Sequence, residues 1–259
     1  MIAFISDWGY DSYYVGIAKA VIYGISPKST VIDVTHGITP FNIKEASHIV
    51  ERVFDDLPKG TVLLAVVDPG VGTDRKAIAV EIEGKFCVGP DNGIFTRLFN
   101  RNIASCFSIE NPKYMYKNPP STTFHGRDVF AAAAAHIDNG VFIDELGPKC
   151  LGVTKLDYTD PEIKDGLINS EVAYIDGFGN VETTITMDDL TRAGITENIL
   201  LLNGKRAVFV KNYSEGAEDV ILAHFDSSGY LEISSSCGKA AEILNLLSGD
   251  RIVFERKRM

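Results

Sequence analysis

Apolar and polar positions in the first half of the chain follow two alternating patterns. Short continuous apolar runs predict buried strands, and between them apolar residues recur at helical spacing. The runs that predict strands are 2–6, 30–34, 61–67, 77–82 and 85–88. Helices are predicted at about 12–25, from 42 onward, at 94–99 and at 131–137. Strands that alternate with helices favour an α/β domain with a largely parallel sheet that is covered on both faces.

The second half has a different pattern, in which short apolar strands are separated by glycine-containing turns. The predicted strands are 166–175, 181–185, 199–202, 207–210, 220–225 and 230–233. Short helices are predicted at 188–192 and 239–246. This half is therefore expected to be mainly β, as a small barrel. A polar stretch separates the two patterns, so we predict domains at 1–158 and 166–259 with a linker at 159–165.

Composition narrows the class of protein. The net charge of −10 and the pI near 5.0 argue against general nucleic-acid binding, which needs a basic face, and are compatible with a cationic substrate. No stretch is apolar for long enough to span a membrane, so we expect a cytoplasmic protein. The four cysteines are scattered without a Cys-x-x-Cys pair, so we expect reduced thiols and no metal site.

The most informative stretch follows the third predicted strand. Asp68 comes where this strand ends, and Pro69, Gly70 and Gly72 then turn the backbone tightly before Arg75. Ligands of open α/β sheets bind just beyond the carboxyl ends of strands, so Asp68 and Arg75 are site candidates. The alternative is that Asp68 caps the turn and Arg75 is a solvated surface charge.

Asp7 and His125 are further candidates. Asp7 follows the first strand, where an acidic residue can accept hydrogen bonds from a ribose, but it could instead cap the next helix. His125 comes just before a predicted helix, whose first backbone N–H groups are unpaired. The chain has no Gly-x-Gly-x-x-Gly loop, P-loop or Gly-x-Ser-x-Gly elbow. Dinucleotide binding, nucleoside-triphosphate binding and serine-hydrolase activity are therefore disfavoured.

Seven sequence blocks together suggest a family. They are Phe4-Ile5-Ser6-Asp7-Trp8-Gly9, Val31-Ile32-Asp33-Val34-Thr35-His36, Val67-Asp68-Pro69-Gly70-Val71-Gly72, Gly89-Pro90-Asp91-Asn92-Gly93, Thr123-Phe124-His125-Gly126-Arg127-Asp128, Gly177-Phe178-Gly179-Asn180 and Ser228-Gly229-Tyr230-Leu231-Glu232. On these blocks the whole chain resembles the S-adenosyl-L-methionine hydroxide adenosyltransferases. This family is similar to the fluorinating and chlorinating enzymes that act on the same substrate.

The resemblance implies a fold, an assembly and a reaction. The fold is an N-terminal α/β domain with a C-terminal β-barrel, and the assembly is a homotrimer. Each site is expected between the N-terminal domain of one subunit and the C-terminal domain of the next. The reaction is hydrolysis of S-adenosylmethionine at C5′ to adenosine and methionine, with no metal and no cofactor besides the substrate.

The resemblance also implies roles for individual residues. Asp68, Arg75 and His125 would activate the attacking water. Halogenating relatives carry an uncharged residue at the position of Asp68, fluorinating ones carry a serine at that of Gly126, and their long insertion is missing here. All three differences favour water over halide.

Substrate contacts follow from the same resemblance. Asp7 would bind the ribose hydroxyls, and Asn180 the adenine. Asp176 would hold the methionine ammonium group and Ser227 its carboxylate. The other expected contacts are aromatic walls or contacts near the end of a late strand: Phe41, Tyr213, Glu232 and the backbone near Ser235. The segment 234–237 departs from the usual family sequence.

Two alternatives remain open. The chain could hold adenosine or S-adenosylmethionine as a non-catalytic sensor, or it could be a chloride-dependent halogenase, which Asp68 disfavours. The sequence also leaves open whether Asp68 or His125 takes the proton from the attacking water.

Overall fold

The structure is a computed structural model that describes residues 1–99, 101–158, 160–195, 198–201, 205–211 and 220–256. The chain divides into two compact units, Met1–Leu156 and Asp157–Met259. This division lies just before the predicted linker at 159–165. The linker is not wholly irregular, because it includes a short strand, Glu162–Lys164. No helix among the described residues is long and apolar enough to cross a membrane.

The first unit is built on a six-stranded sheet. Its strands are β1 (Ile2–Ser6), β2 (Val31–Thr35), β3 (Val62–Val66), β4 (Ala77–Ile82), β5 (Lys85–Pro90) and β6 (Ile103–Ser108). The order across the sheet is β2-β1-β3-β5-β4-β6. Strands β2, β1, β3 and β5 are parallel, whereas β4 is antiparallel to β5 and β6. The predicted largely parallel sheet is thus present, with an antiparallel edge that includes the unpredicted β6.

Side-chain caps start the first two helices where the sequence predicted. Helix α1 (Tyr13–Ile25) begins at Ser12, whose hydroxyl accepts the N–H of Tyr14 at 3.2 Å. Helix α2 (Ile43–Phe54) begins at Asn42. The Asn42 side chain accepts the N–H of Glu45 and donates to its carboxylate, both at 3.1 Å. These bonds satisfy backbone donors that would otherwise lack partners.

Helix α3 (Ala132–Asp138) is preceded by a stretch of π-helix, Gly126–Ala131. The alanine run 131–135 is fully buried, and it lets the helix pack closely against the apolar sheet and α1. Strands β1 and β3 are buried at every position, as expected for parallel strands covered on both faces. The helix predicted at 94–99 is shorter than expected, and only Thr96–Leu98 forms a 3₁₀ turn.

The second unit contains a nine-stranded, mostly antiparallel sheet. Its strands are β7 (Glu162–Lys164), β8 (Leu167–Glu171), β9 (Tyr174–Ile175), β10 (Val181–Thr186), β11 (Asn198–Leu201), β12 (Arg206–Phe209), β13 (Ile221–Phe225), β14 (Tyr230–Ser235) and β15 (Arg251–Arg256). The order is β7-β8-β15-β11-β12-β13-β14-β10-β9, and among the described strands of this unit only β12 and β13 pair in parallel. The sheet is not closed within the described residues, so the barrel stays a prediction.

Four predicted strands of the second unit form two hairpins, and both predicted short helices are present. Strands β11 and β12 pair in antiparallel fashion, as do β13 and β14. The Asn203-Gly204 turn of the first hairpin lies outside the described residues. The helices are α4 (Met187–Arg192) and α5 (Ala240–Leu244).

Candidate active site

Asp68 and Arg75 form a bidentate ion pair just beyond the end of β3. Arg75 Nε donates to Asp68 Oδ1 at 2.9 Å, and Arg75 Nη2 donates to Asp68 Oδ2 at 2.5 Å. The two side chains are only 10% and 7% exposed. Arg75 is therefore not the solvated surface charge of the alternative interpretation. Two parallel charge-assisted hydrogen bonds fix the relative orientation of the two groups.

The loop between these residues is held close to the segment that precedes His125. Gly72 has a φ of 78°, and a Cβ at this position would lie 2.3 Å from the backbone oxygen of Thr122. Only glycine allows both the left-handed backbone and this close approach. The glycine therefore brings the turn after β3 against a segment that lies fifty residues further along the chain.

His125 joins the ion pair from that segment. It directly precedes the π-helical stretch, a feature that is frequent at functional sites. Arg75 Nη2 donates to His125 Nδ1 at 2.9 Å, and the guanidinium lies 5.1 Å from the centre of the Phe130 ring. Burial, and then the charge of Arg75, lower the pKa of His125. His125 is accordingly neutral at pH 7.

The contact with Arg75 also fixes the tautomer of His125. A guanidinium has only donors, so Nδ1 must be the acceptor, and the single proton of the neutral ring lies on Nε2. Nε2 is then a hydrogen-bond donor. This assignment follows from the hydrogen-bond network.

Asp7 and Phe41 lie together at the ends of the first two parallel strands. Asp7 Oδ2 accepts the N–H of Phe41 at 2.9 Å. Phe41 has a φ of 67°, and its side chain is 69% exposed. Such a left-handed, non-glycine residue is strained and needs local support, which the Asp7 carboxylate provides. Because Ser12 caps α1, the capping role considered for Asp7 is wrong.

The pKa of Asp7 is raised, chiefly because the carboxyl is partly buried. The hydrogen bond from Phe41 opposes this shift, and the negative charge of Asp68 adds to it. Two carboxylates thus face the same region. Their mutual repulsion would be relieved by a cation placed between them.

Four of the predicted residues line one cavity of about 280 Å³: Asp7, Phe41, Asp68 and His125. Arg75 is not part of this lining, but it contacts both Asp68 and His125. Further residues complete the wall: Trp8, Tyr14, Pro40, Val66, Val71, Thr123, Phe124 and Gly126.

The aromatic wall was missed as a binding feature by the sequence analysis. Phe124 packs edge-to-face on Trp8 with ring centres 5.5 Å apart and on Tyr14 at 5.0 Å. The available signal was the aromatic-rich segment 8–14 that follows Asp7 directly. That segment was read only as a turn and a helix start.

In the second unit, Asp176 and Asn180 form one turn. Asp176 Oδ1 accepts the N–H groups of Phe178 at 2.9 Å and Asn180 at 2.8 Å. Asp176 Oδ2 accepts from Nδ2 of Asn180 at 2.9 Å. The two side chains predicted to bind methionine and adenine are thus already oriented by each other.

The other residues of the second unit that are predicted to contact the substrate differ in their burial and in their partners. Ser227 is exposed in the turn between β13 and β14. Glu232 is buried, directly opposite His224 on the neighbouring strand, with His224 Nε2 3.2 Å from Glu232 Oε1. Ser235 Oγ donates to the backbone oxygen of Cys237 at 3.3 Å. Tyr213 lies outside the described residues.

A serine, a histidine and an aspartate also lie in series in the first unit, but this series cannot contact a substrate. Ser6 Oγ lies 2.8 Å from His36 Nδ1, and His36 Nε2 lies 3.0 Å from Asp33 Oδ1. Ser6 is completely buried, so its hydroxyl is not available as a nucleophile. This series is part of the packing beneath the cavity.

Comparison with known proteins decides the family. The family model described as SAM hydroxide adenosyltransferase N-terminal domain matches residues 2–147, and that of the C-terminal domain matches residues 170–253. The chain belongs to this family. The resemblance drawn from the seven sequence blocks is therefore confirmed.

Members and relatives of the family match nearly the full chain. The (R)-S-adenosyl-L-methionine hydrolase of Thermus thermophilus is 35% identical over 96% of each chain. A fluorinase from an Actinoplanes species is 26% identical over 96% of this chain and 95% of its own. The crystal structure of an uncharacterized conserved protein from Thermotoga maritima superposes with a TM-score of 0.93 at 39% identity, over 99% of this chain and 100% of that one.

We predict that Gly126→Ala destabilises the protein by roughly 1–3 kcal/mol, the usual cost of overpacking. A Cβ at Gly126 would lie 2.3 Å from the Trp8 ring, which Phe4 and Phe124 hold in place. The matched control is Gly24→Ala, because nothing lies within 4 Å of a Cβ there in α1. Denaturant unfolding should show a gain of about 0.5–1 kcal/mol for the control. Equal effects of both substitutions would contradict the close packing of Trp8 on Gly126.

We predict that His224 stabilises the protein more at low pH than at high pH. The Glu232 carboxylate, 3.2 Å away, raises the pKa of His224 above its usual 6.5, against the opposing effect of burial. Its contribution is therefore complete below pH 6.5 and is lost as the pH rises through the folded-state pKa. The difference in free energy of unfolding between wild type and His224→Gln should decrease from pH 6 to pH 9.

A histidine with the opposite shift provides the control for this experiment. Burial lowers the pKa of His136, so the difference in free energy of unfolding between wild type and His136→Gln should grow as the pH rises towards 6.5 and stay constant above it. A difference for His224→Gln that stays constant with pH would show that the pair with Glu232 carries no proton linkage.

Proposed function

We propose that this protein hydrolyses S-adenosyl-L-methionine to adenosine and L-methionine. Water attacks C5′ in line with the C5′–S bond, and Asp68, Arg75 and His125 hold and activate that water. The observation that carries the proposal is the hydrogen-bonded series Asp68–Arg75–His125 at the wall of a cavity that Asp7 also lines.

The leaving group needs no help from the protein. When the C5′–S bond breaks, the positively charged sulfonium becomes a neutral thioether, so no proton has to be delivered to sulfur. The difficult part is the nucleophile, because water is weak and hydroxide is scarce at pH 7. The site must therefore position one water and accept its proton.

The geometry favours Asp68 as the group that takes the proton. Nδ1 of His125 is occupied by Arg75, and Nε2 already carries the ring proton. His125 can thus donate a hydrogen bond to the water oxygen but has no free lone pair for its proton. Each Asp68 oxygen accepts one bond from Arg75 and retains further acceptor capacity.

Arg75 acts from behind the reacting atoms. It holds the Asp68 carboxylate in one plane and fixes the tautomer of His125. A lysine could not make this set of contacts, because only the planar guanidinium offers several donors in a rigid fork. Arg75 is therefore a positioning residue in this proposal.

The substrate fits the charge of the cavity. S-adenosylmethionine carries a sulfonium and an ammonium group, and the carboxylates of Asp7 and Asp68 make the cavity attractive to cations. Asp7 would bind the ribose hydroxyls beside the aromatic wall, and Phe41 and Tyr213 would flank the nucleoside. The residues proposed to hold methionine and adenine belong to the second unit: Asp176, Asn180, Ser227, Glu232 and the backbone near Ser235.

We further propose that a homotrimer completes the site. Phe41 is largely exposed although it lines the cavity, and α1 carries exposed apolar residues, of which Tyr14 lines the same cavity: Tyr13, Tyr14, Ile17 and Tyr23. An apolar surface of this kind is a usual mark of an interaction site. The homotrimer, the cytoplasmic location and the barrel form of the second unit stay predictions.

Products made in ¹⁸O-water test the reaction. The purified protein is incubated with S-adenosylmethionine in chloride-containing buffer made with ¹⁸O-water, and the products are analysed by mass spectrometry. Adenosine labelled at its 5′-oxygen, together with methionine, is the expected result. A 5′-chloro product would make the protein a halogenase, and tight binding without turnover would make it a sensor.

We predict that Asp68→Asn lowers kcat by about 10²–10⁴-fold, the usual contribution of a general base. Substrate affinity should fall far less than kcat, because Asp68 contacts the water and its charge attracts the substrate only from a distance. Asp74→Asn is the matched control, since it removes a carboxylate from the same loop at an exposed position. Single-turnover rates and a binding titration separate the two effects. A kcat for Asp68→Asn equal to that of the control would refute the role of Asp68.

A further inference from the structure

Two of the four cysteines face each other across a pair of strands. The backbone at Phe107 in β6 bridges to Lys149 in antiparallel fashion, which places Cys106 directly opposite Cys150. The N–H of Cys150 donates to the oxygen of Cys106 at 2.9 Å. Residues directly opposite in such a ladder carry their side chains on the same face of the sheet.

We propose that Cys106 and Cys150 form a reversible disulfide, which makes this pair a redox-sensitive modification site of the first unit. Both cysteines are free thiols in the structure, and both are partly exposed. Hydrogen-bonded opposite residues have Cα atoms about 5.5 Å apart, within the range of 4.4–6.8 Å that disulfides occupy.

The geometry predicts a bond that is easily reduced. Opposite residues usually have Cβ atoms about 4.5–5.5 Å apart, whereas a relaxed disulfide needs about 3.8 Å. Closing the bond must therefore draw the two backbones slightly together. The resulting strain makes a disulfide more oxidising and favours a reversible role over a permanent one.

The other two cysteines cannot compete for this pairing within the unit. Cys87 in β5 and Cys106 in β6 both pair with Val80 of β4, so a whole strand separates them. Cys87 is also fully buried, and burial raises the pKa of its thiol to about 12. Cys237 is exposed and belongs to the second unit.

Oxidation proceeds by thiol–disulfide exchange with a small-molecule disulfide. Burial, and then the neighbouring Cys150 thiol, raise the pKa of Cys106, so we assign the first attack to Cys150. The Cys150 thiolate displaces one thiol of the oxidant and forms a mixed disulfide. Cys106 then loses its proton and displaces the second thiol. Two electrons pass to the oxidant, and two thiols leave.

The bond would act on the segment that carries His125 and on the chain that leaves the unit. It closes a loop over residues 107–149, which includes the π-helical stretch. It would also reinforce the segment 148–156, which is held to the unit by a few bonds such as Thr154 N–H to Asp91 Oδ1 at 2.7 Å. Closing a loop reduces the entropy of the unfolded chain, so the oxidised protein should be more stable.

The test uses the full-length protein and oxidised glutathione as the oxidant. Free thiols should fall from four to two, and non-reducing peptide mapping should identify a Cys106–Cys150 cross-link that dithiothreitol reverses. The apparent Tm should rise by roughly 5–10 °C on oxidation, as expected for closure of a long loop.

Serine substitutions separate this pair from the other thiols. Cys106→Ser or Cys150→Ser should abolish both the cross-link and the Tm rise, whereas Cys87→Ser and Cys237→Ser should retain both. The proposal is overturned if all four thiols persist, if glutathione remains attached to a single cysteine, or if the only cross-links join two chains. Since the cross-link is mapped directly, loss of stability in one variant cannot imitate the expected result.

Discussion

Two opposite charges, on Asp68 and Arg75, are buried together beside the cavity, and the rest of the site depends on this pair. Taking either charge out of water alone would cost several kcal/mol, so the pair requires close and well-directed hydrogen bonds. The tight turn after β3 supplies that geometry, and Gly72 lets the turn approach Thr122. The same turn therefore brings His125 within reach of Arg75. These contacts fix the three side chains relative to one another, which is the kind of preorganisation that electrostatic catalysis needs.

The local sequence pattern was sufficient to predict strands that are buried on both faces and helices that have a cap and one apolar face. Strands β1 and β3 are buried on both faces and give continuous apolar runs, and α1 has a capping serine and a regular apolar stripe. Strand β6 was missed because serines interrupt its short apolar stretch, and it is the last strand of its sheet with mostly half-buried residues. Strand β15 was missed for a related reason, since charged residues stand at both of its ends. In both cases the neighbouring strand, and not the local sequence, determines the structure.

The site was predictable only where its contacts join residues that are close in sequence. Asp68 and Arg75 are seven residues apart, so their pairing across one turn is a local property. His125 is fifty residues from Arg75, and nothing in its own surroundings indicates that contact; only the resemblance supplied it. The Trp8–Phe124 wall is likewise a long-range contact. The left-handed backbone of Phe41 has no sequence signal, because such a conformation is normally left to glycine.

The ion pair also explains why Asp68, Arg75 and His125 have different tasks in the proposed mechanism. Arg75 is a donor at every position, so each group that contacts it must be an acceptor at that point. Asp68 meets this condition as a carboxylate and keeps lone pairs for a water molecule. His125 meets it only as the neutral tautomer with its proton on Nε2, which makes the exposed nitrogen a donor. A water between them would thus give a proton to Asp68 and accept a hydrogen bond from His125. A halide could also accept the hydrogen bond from His125. It has no proton to donate to the Asp68 carboxylate, however, so this arrangement favours water.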